Sequence, residues 1–277
     1  MNILSPLIEA HDLIELRNSA ELVLVDASNL ENYSLKHLDG AVYVDLATQL
    51  SDPTSTDASR GGRHPLPPIS KFFQTLSELG ISAQSHVVIY DHAFGANAAA
   101  RFWWMLKAVG HQKVQVLNGG FPVAQEIGFP INSDKVEIDK SELYQVNEWK
   151  LNTVSMHQVK EISETNLGTI VDVRSEERYR GESEPIDLVA GHIPNAINIP
   201  YASNLDQNGR FLSSEILQEM YKKELGNSNP NEVVFHCGSG VTACHSILAL
   251  TYAGFEIPRL YVGSWSEWSR NPNPILP

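Results

Sequence analysis

Residues 233–244 read Val233-Val234-Phe235-His236-Cys237-Gly238-Ser239-Gly240-Val241-Thr242-Ala243-Cys244. A β-branched apolar run ends at Cys237, a glycine-rich turn follows, and a helical pattern resumes near Val241. That is how a buried parallel strand hands over to a helix. Open parallel sheets bind ligands at the carboxyl ends of their strands, so Cys237 stands where chemistry is expected. Backbone N–H groups of such a loop can converge on one point, and the helix N-terminus adds partial positive charge; both favour a thiolate nucleophile. This reading outweighs that of a buried structural cysteine. Cys244, inside the predicted helix, reads as a small core residue and not as a resolving thiol.

Working outward, the same pattern occurs twice. Leu22-Val23-Leu24-Val25-Asp26 reappears as Thr169-Ile170-Val171-Asp172-Val173, and His37-Leu38-Asp39-Gly40-Ala41 as His192-Ile193-Pro194-Asn195-Ala196. His86 to Asp91 matches Glu232 to Cys237, and Val116-Leu117-Asn118-Gly119-Gly120-Phe121 parallels Tyr261-Val262-Gly263-Ser264-Trp265. Four matches in one order, at a period too long for a solenoid, indicate a duplicated domain. The expected fold is α/β, two tandem domains, each a parallel sheet flanked by helices. In the second half strands are expected at 169–173, 196–199, 233–236 and 259–262, with helices at 155–163, 213–225 and 241–253. In the first, strands are expected near 22–26, 41–44, 87–90 and 114–117. The boundaries that follow are 1–130 for a non-catalytic first domain, 131–152 for a polar linker and 153–277 for a catalytic second domain. Residues 51–68, with four prolines, read as a surface loop.

Composition narrows the function. Twenty Lys plus Arg against 33 Asp plus Glu leave a net charge of −13 over 277 residues. Such a field repels nucleic-acid phosphates and anionic membrane surfaces, so neither is an expected partner. An anionic substrate would need a local cluster of cations. Two cysteines rule out a disulfide framework and a cysteine-rich zinc site, and suit a reducing compartment. The start, Met1 to Leu16, has no basic n-region and is interrupted by Pro6, Glu9, Asp12 and Glu15, so a cytoplasmic location is expected. A cysteine phosphatase of the His-Cys-x5-Arg type would close this loop with a guanidinium. That position is Ala243, which disfavours phosphoryl transfer.

The duplicated halves, the loop Cys237 to Ala243, Arg178-Tyr179-Arg180-Gly181, Gly191-His192-Ile193-Pro194 and the closing Gly263-Ser264-Trp265-Ser266-Glu267-Trp268 resemble the tandem-domain rhodanese and 3-mercaptopyruvate sulfurtransferase family. The resemblance covers nearly the whole chain. It implies a second-domain cysteine that becomes a persulfide while relaying a sulfane sulfur, with no metal and no organic cofactor. Asp91, opposite Cys237 in the repeat, cannot do that chemistry, so the first domain is implied to be structural and to wall the cleft into which the active loop opens. The partners implied are a small anionic sulfur donor and a thiol acceptor, including a thioredoxin-like dithiol, or cyanide.

The residues also bear on the donor. Gly238-Ser239-Gly240 resembles the mercaptopyruvate enzymes, whereas thiosulfate-specific members place two cations after the cysteine. Arg178 matches the arginine that holds the donor carboxylate, in preference to pairing with Glu176, Glu177 or Glu182 at the surface. Gly238, Gly240, Val241 and Thr242 are expected to line the donor site. A second family arginine, in Pro-Glu-Pro-Arg, is here Ile186 within Ser183-Glu184-Pro185-Ile186-Asp187. Ile186 cannot bind a carboxylate, which leans toward thiosulfate, and Arg63 beside His64 is the candidate replacement. The resemblance pairs Ser239 with His64 for proton delivery. The acidic third partner falls near Ala47, with Asp45 or Asp52 as substitutes. His192 and His236 read as structural hydrogen-bonders, Asp172 with Arg174 as a buried pair, and Phe102-Trp103-Trp104 as interface core. An inactive rhodanese-like binding module is the rival class, disfavoured by the intact cysteine.

Overall fold

A computed structural model describes residues 4–142, 144, 148–226 and 228–277. Its strands are β1 (Leu7–Ile8), β2 (Leu22–Asp26), β3 (His37–Leu38), β4 (Val42–Tyr43), β5 (His86–Tyr90), β6 (Val114–Leu117), β7 (Ile131–Asn132), β8 (Thr169–Asp172), β9 (Ala196–Asn198), β10 (Val233–His236) and β11 (Arg259–Leu260). The α-helices are α1 (Ala10–Leu16), α2 (Leu30–Leu35), α3 (Ile69–Glu78), α4 (Ala98–Ala108), α5 (Gly120–Glu126), α6 (Met156–Thr165), α7 (Glu176–Tyr179), α8 (Ser214–Leu225), α9 (Thr242–Tyr252) and α10 (Ser264–Trp268). None of the described helices is long and apolar enough to cross a membrane.

Contacts divide the chain into two units. The first holds residues 1–51, 67–150 and 208–210; the second holds 52–66, 151–207 and 211–277. Residues 52–66, which the repeat assigns to the first domain, are thus a strap on the second unit. The physical reason lies in its bonds to α10 and the residues after it. Gly61 N–H donates to Glu267 at 2.7 Å, Arg63 N–H to the Ser266 hydroxyl at 3.0 Å, and Asn271 to the Ser59 carbonyl at 2.9 Å. Gly62 sits at φ +79, where a Cβ would lie 2.3 Å from the Gly263 carbonyl, so only glycine fits this approach.

In the first unit five parallel strands run β1-β6-β5-β2-β4, and β3 pairs antiparallel with β7. The core on one face joins Leu13, Leu24, Val88, Tyr90, Leu117 and Phe121. Phe102, Trp103 and Trp104 are wholly buried on α4, each such ring removing about 150–250 Å² from water. The polar stretch 131–150 holds to this unit: Ser141 donates to the Ile81 carbonyl at 2.7 Å and Tyr144 to that of Ser82 at 3.1 Å. Positions 143 and 145–147 of the expected linker lie outside the described residues.

In the second unit four parallel strands run β11-β10-β8-β9. From β8 the chain moves one way to β9 and the other way to β10 and β11. The order therefore reverses at β8 and β10, and the crevice for a ligand opens at their carboxyl ends. Val159, Ile162, Ile170, Val234, Tyr261, Trp265 and Trp268 form a core cluster. Helix α6 begins with a capping box, Ser155 with Gln158, and ends at Asn166 with φ +56. The ends of every element expected from the sequence are observed within two residues; β11 stops two residues early, at Leu260, where the bond from Tyr261 N–H to the Phe235 carbonyl closes the pairing.

Candidate active site

Cys237 follows directly on β10, and its backbone is fixed from three sides. Its N–H donates to the Ser264 hydroxyl at 3.2 Å, and its carbonyl accepts from Trp265 N–H at 3.0 Å and from His236 Nδ1 at 3.2 Å. The Gly238 carbonyl accepts from Ser266 N–H at 2.8 Å. Gly240 has φ +72, and a Cβ there would stand 2.4 Å from the Val262 carbonyl, so the turn into α9 requires glycine. The N–H groups of Gly238, Ser239, Val241, Thr242 and Ala243 donate to no described residue, which leaves them for a ligand at the amino end of α9.

The first unit shows what such a loop holds. Asp91, at the matching position after β5, accepts from the N–H groups of Ala93 and Gly95 on Oδ1, both 2.8 Å, and of Asn97 and Ala99 on Oδ2, both 3.2 Å. The anion position of that loop is filled by the chain's own carboxylate.

A cavity of about 250 Å³ opens over Cys237, lined by Gly238, Thr242, Arg174, Arg178 and Tyr201 among others. It is smaller than the 300–1,000 Å³ usual for drug-sized ligands, and suits a molecule of few atoms. Arg174 and Arg178 line it, and the guanidinium groups of Arg63 and Arg178 converge on Gly238. A Cβ at Gly238 would lie 3.0 Å from Nη2 of Arg63 and 3.5 Å from Nη2 of Arg178. Gly238 therefore makes room for cations brought from elsewhere in the chain. His64, next to Arg63 on the strap, has Nδ1 2.8 Å from the Ser239 hydroxyl. The structure thus brings together Cys237, Ser239, His64, Arg63, Arg178, Gly238, Gly240 and Thr242. Val241 is buried at the start of α9 and serves the turn. Cys244 is buried in α9 with Sγ 3.4 Å from the Gly240 carbonyl.

Arg178 pairs with none of the three glutamates weighed from sequence. It makes a two-pronged contact with Glu184, Nε to Oε2 at 3.2 Å and Nη2 to Oε1 at 2.7 Å, while Arg180 takes Glu176 at 3.0 Å. Glu184 also receives Arg174 at 3.2 Å, and Arg174 grips Asp172 with contacts of 2.6–3.0 Å. Burial opposes the charge on Glu184, but hydrogen bonds from Arg178 and from the Asp187 and Ile186 N–H groups outweigh it and hold the carboxyl below the usual range. At Asp172, burial is likewise outweighed by His236 and Arg174, and its carboxyl is also lowered. Burial pushes the His236 imidazole down. His192 donates Nδ1–H to the Tyr179 carbonyl at 2.8 Å and stacks on that ring.

Three site residues escape a reading by motif: Glu184, Asp187 and Arg270. Asp187 has a wholly buried side chain bound to Arg63 and Arg270. An acidic residue set between the apolar Ile186 and Leu188 was the available signal in the sequence. Of the candidate acidic partners for His64, Asp45 accepts from Tyr43 and Thr48, and Asp52 from Thr54.

A twofold parallel-sheet fold with a cysteine in a glycine-rich loop before a helix defines the class of rhodanese-like proteins. The chain matches the rhodanese-like domain over residues 9–126 and again over 155–271. It is 38% identical over 241 residues to a probable 3-mercaptopyruvate sulfurtransferase of Pseudomonas aeruginosa, covering 87% of this chain and 84% of that protein. It is 37% identical over 240 residues to a putative thiosulfate sulfurtransferase of Mycobacterium tuberculosis, covering 87% and 82%. The crystal structure of the 3-mercaptopyruvate sulfurtransferase SseA from Escherichia coli superposes with a TM-score of 0.78 at 28% identity, covering 95% of this chain and all of that one. The chain belongs to the tandem-domain rhodanese and 3-mercaptopyruvate sulfurtransferase family.

Proposed function

We propose that this protein transfers a sulfane sulfur from 3-mercaptopyruvate to a thiol acceptor through a persulfide on Cys237. The observation that carries this reading is the buried Cys237 in a loop whose N–H groups donate to no described residue, with the guanidinium groups of Arg63 and Arg178 brought to the adjoining Gly238. Arg178 and Arg63 hold the donor carboxylate. The Cys237 thiolate attacks the donor sulfur; an S–S bond forms, the C–S bond breaks, and its electron pair passes to the methylene carbon as pyruvate enolate. A proton delivered through Ser239 and His64 completes pyruvate. The persulfide anion rests on the N–H groups of the loop, as the Asp91 carboxylate does in the first unit. A thiolate acceptor then attacks the outer sulfur and releases Cys237 as thiolate.

Thiosulfate is the second donor to weigh, favoured by Ile186 in place of an arginine. Its S–S bond would break with the electron pair leaving on sulfite. The neutral Gly238-Ser239-Gly240 loop favours mercaptopyruvate. Steady-state kcat/KM for the two donors decides: a mercaptopyruvate preference is expected, and a clear thiosulfate preference overturns the loop argument. Cyanide-releasable sulfur should appear on the protein after donor treatment and vanish in Cys237→Ser. Its absence from the intact protein would favour an inactive binding module. Arg63→Ala should raise donor KM, and an unchanged KM removes Arg63 from the site.

A further inference from the structure

Asp187 is shared by three guanidinium groups from three separate segments. Its Oδ1 accepts from Arg63 Nε at 3.2 Å and Arg270 Nη1 at 2.9 Å; its Oδ2 accepts from Arg63 Nη2 at 3.4 Å and lies 3.6 Å from Arg178 Nη2. Its neighbours Ile186 and Leu188 are 54% and 73% exposed, whereas the Asp187 side chain is 0% exposed. The loop turns two apolar residues outward and a carboxylate inward, the reverse of the ordinary partition. Glu184 enforces that turn, its Oε1 accepting the N–H groups of Ile186 at 3.1 Å and Asp187 at 3.0 Å. Burying a carboxylate this way is costly unless charges compensate it, and here the arginines do so.

The arginines in turn depend on Asp187. Of the three, Arg63 and Arg178 approach Gly238 closely, and like charges at such separations repel. With Nε and Nη2 of Arg63 engaged on Asp187, and those of Arg178 on Glu184, the Nη1 amino group of each hydrogen-bonds to no described residue. We propose that Asp187 is a positioning residue that clamps Arg63 and Arg178 as a pair beside Gly238, where an anion entering toward Cys237 meets their guanidinium groups. The proposal rests on the donor-anchoring role given to these arginines above.

Positioning and simple charge counting make opposite forecasts. Removing a carboxylate raises the local positive charge, which by itself would attract an anion more strongly. Loss of the clamp lets the guanidinium groups part and weakens an oriented grip. The test is the ratio of Cys237 alkylation rates by iodoacetate, which carries a carboxylate, and by neutral iodoacetamide, on the full chain with Cys237→Ser as blank. In Asp187→Asn the ratio should fall about tenfold, a change of about 1.4 kcal/mol, toward that of Arg63→Ala, and Asp187→Glu should restore part of it. A ratio that stays the same or rises in Asp187→Asn overturns the proposal. Should Asp187→Asn not fold, Arg270→Gln loosens the same carboxylate from one side: a fall in the ratio supports the clamp, and no change overturns it. Neither reagent donates sulfur, so the result stands apart from which donor, if any, the protein uses.

Discussion

Arg174 shows how much one residue can carry. Its side chain is 1% exposed, lies over the Trp265 ring at 4.5 Å, and joins two buried carboxylates, Asp172 and Glu184. Removing one partner of such a group leaves uncompensated buried charge, which typically costs about 3–5 kcal/mol. Arg174→Met should therefore destabilise the protein by about that amount in urea unfolding. Arg174→Lys, which keeps the charge but loses the planar fork, should recover only part of it. Ser239 gives the contrasting case at the same scale. It hydrogen-bonds to His64 and to no arginine among the described residues, so, on the proton-delivery role proposed for it, Ser239→Ala should lower kcat about 100-fold, within the usual range for proton transfer groups, with donor KM nearly unchanged. A large rise in KM with kcat preserved would move Ser239 from proton delivery to donor binding.

The loop between β10 and α9 is an element whose shape depends on one glycine. Gly240→Ala meets both a left-handed backbone and a carbonyl at 2.4 Å, so it should abolish Cys237 alkylation by iodoacetate or prevent folding of the second unit. Gly128→Ala, at φ +81 with nothing within 4 Å of the added Cβ, should cost only the backbone term, about 1–2 kcal/mol, and leave alkylation intact. Equal effects of the two would show that contact with Val262 does not constrain the loop. At this scale most of the fold was legible in the sequence. β-branched runs such as Val233 to His236 and Leu22 to Asp26 declare buried parallel strands, and the glycine-rich turn declares the loop. Less legible were the short pieces that have too few residues to carry a period: β1, the β3–β7 pair, α7 and α10. The site divides the same way. Cys237, Ser239, His64 and Arg178 could be found by motif. Asp187 could not, because its role depends on Arg63 and Arg270, 124 and 83 residues away, reaching the same carboxylate.

Across the whole molecule the duplication has produced two different electrostatic solutions on one fold. At the end of β8, Asp172 meets Arg174; at the matching end of β2, Asp26 accepts the Ser28 N–H at 2.8 Å. At the loop, the second unit keeps an open cavity with free N–H groups, whereas the first fills its anion position with Asp91. These choices give the units different responses to acid. Glu184 and Asp172 have carboxyl groups held below their ordinary values of 4.5 and 3.8, so their stabilisation is full above those values and is lost as pH falls through the lower folded-state values. Burial, opposed by its four backbone donors, pushes the Asp91 carboxyl up. A raised carboxyl works in the opposite sense: the folded state takes up the proton more readily than the unfolded chain, so this group favours the first unit as pH falls. Acid should therefore loosen the second unit at this ion network, while in the first unit His92 and His111, held neutral by burial, add a loss of their own as they charge. Amide exchange followed by mass spectrometry, corrected for the intrinsic pH dependence of exchange, reads each unit separately. As pH falls below 4.5, peptides covering 169–198 and 233–252 should lose protection. Arg174→Lys should move that loss to higher pH in the second unit alone, because it weakens the cation that keeps Asp172 and Glu184 charged. A shift that Arg174→Lys fails to produce would place the acid sensitivity outside this ion network.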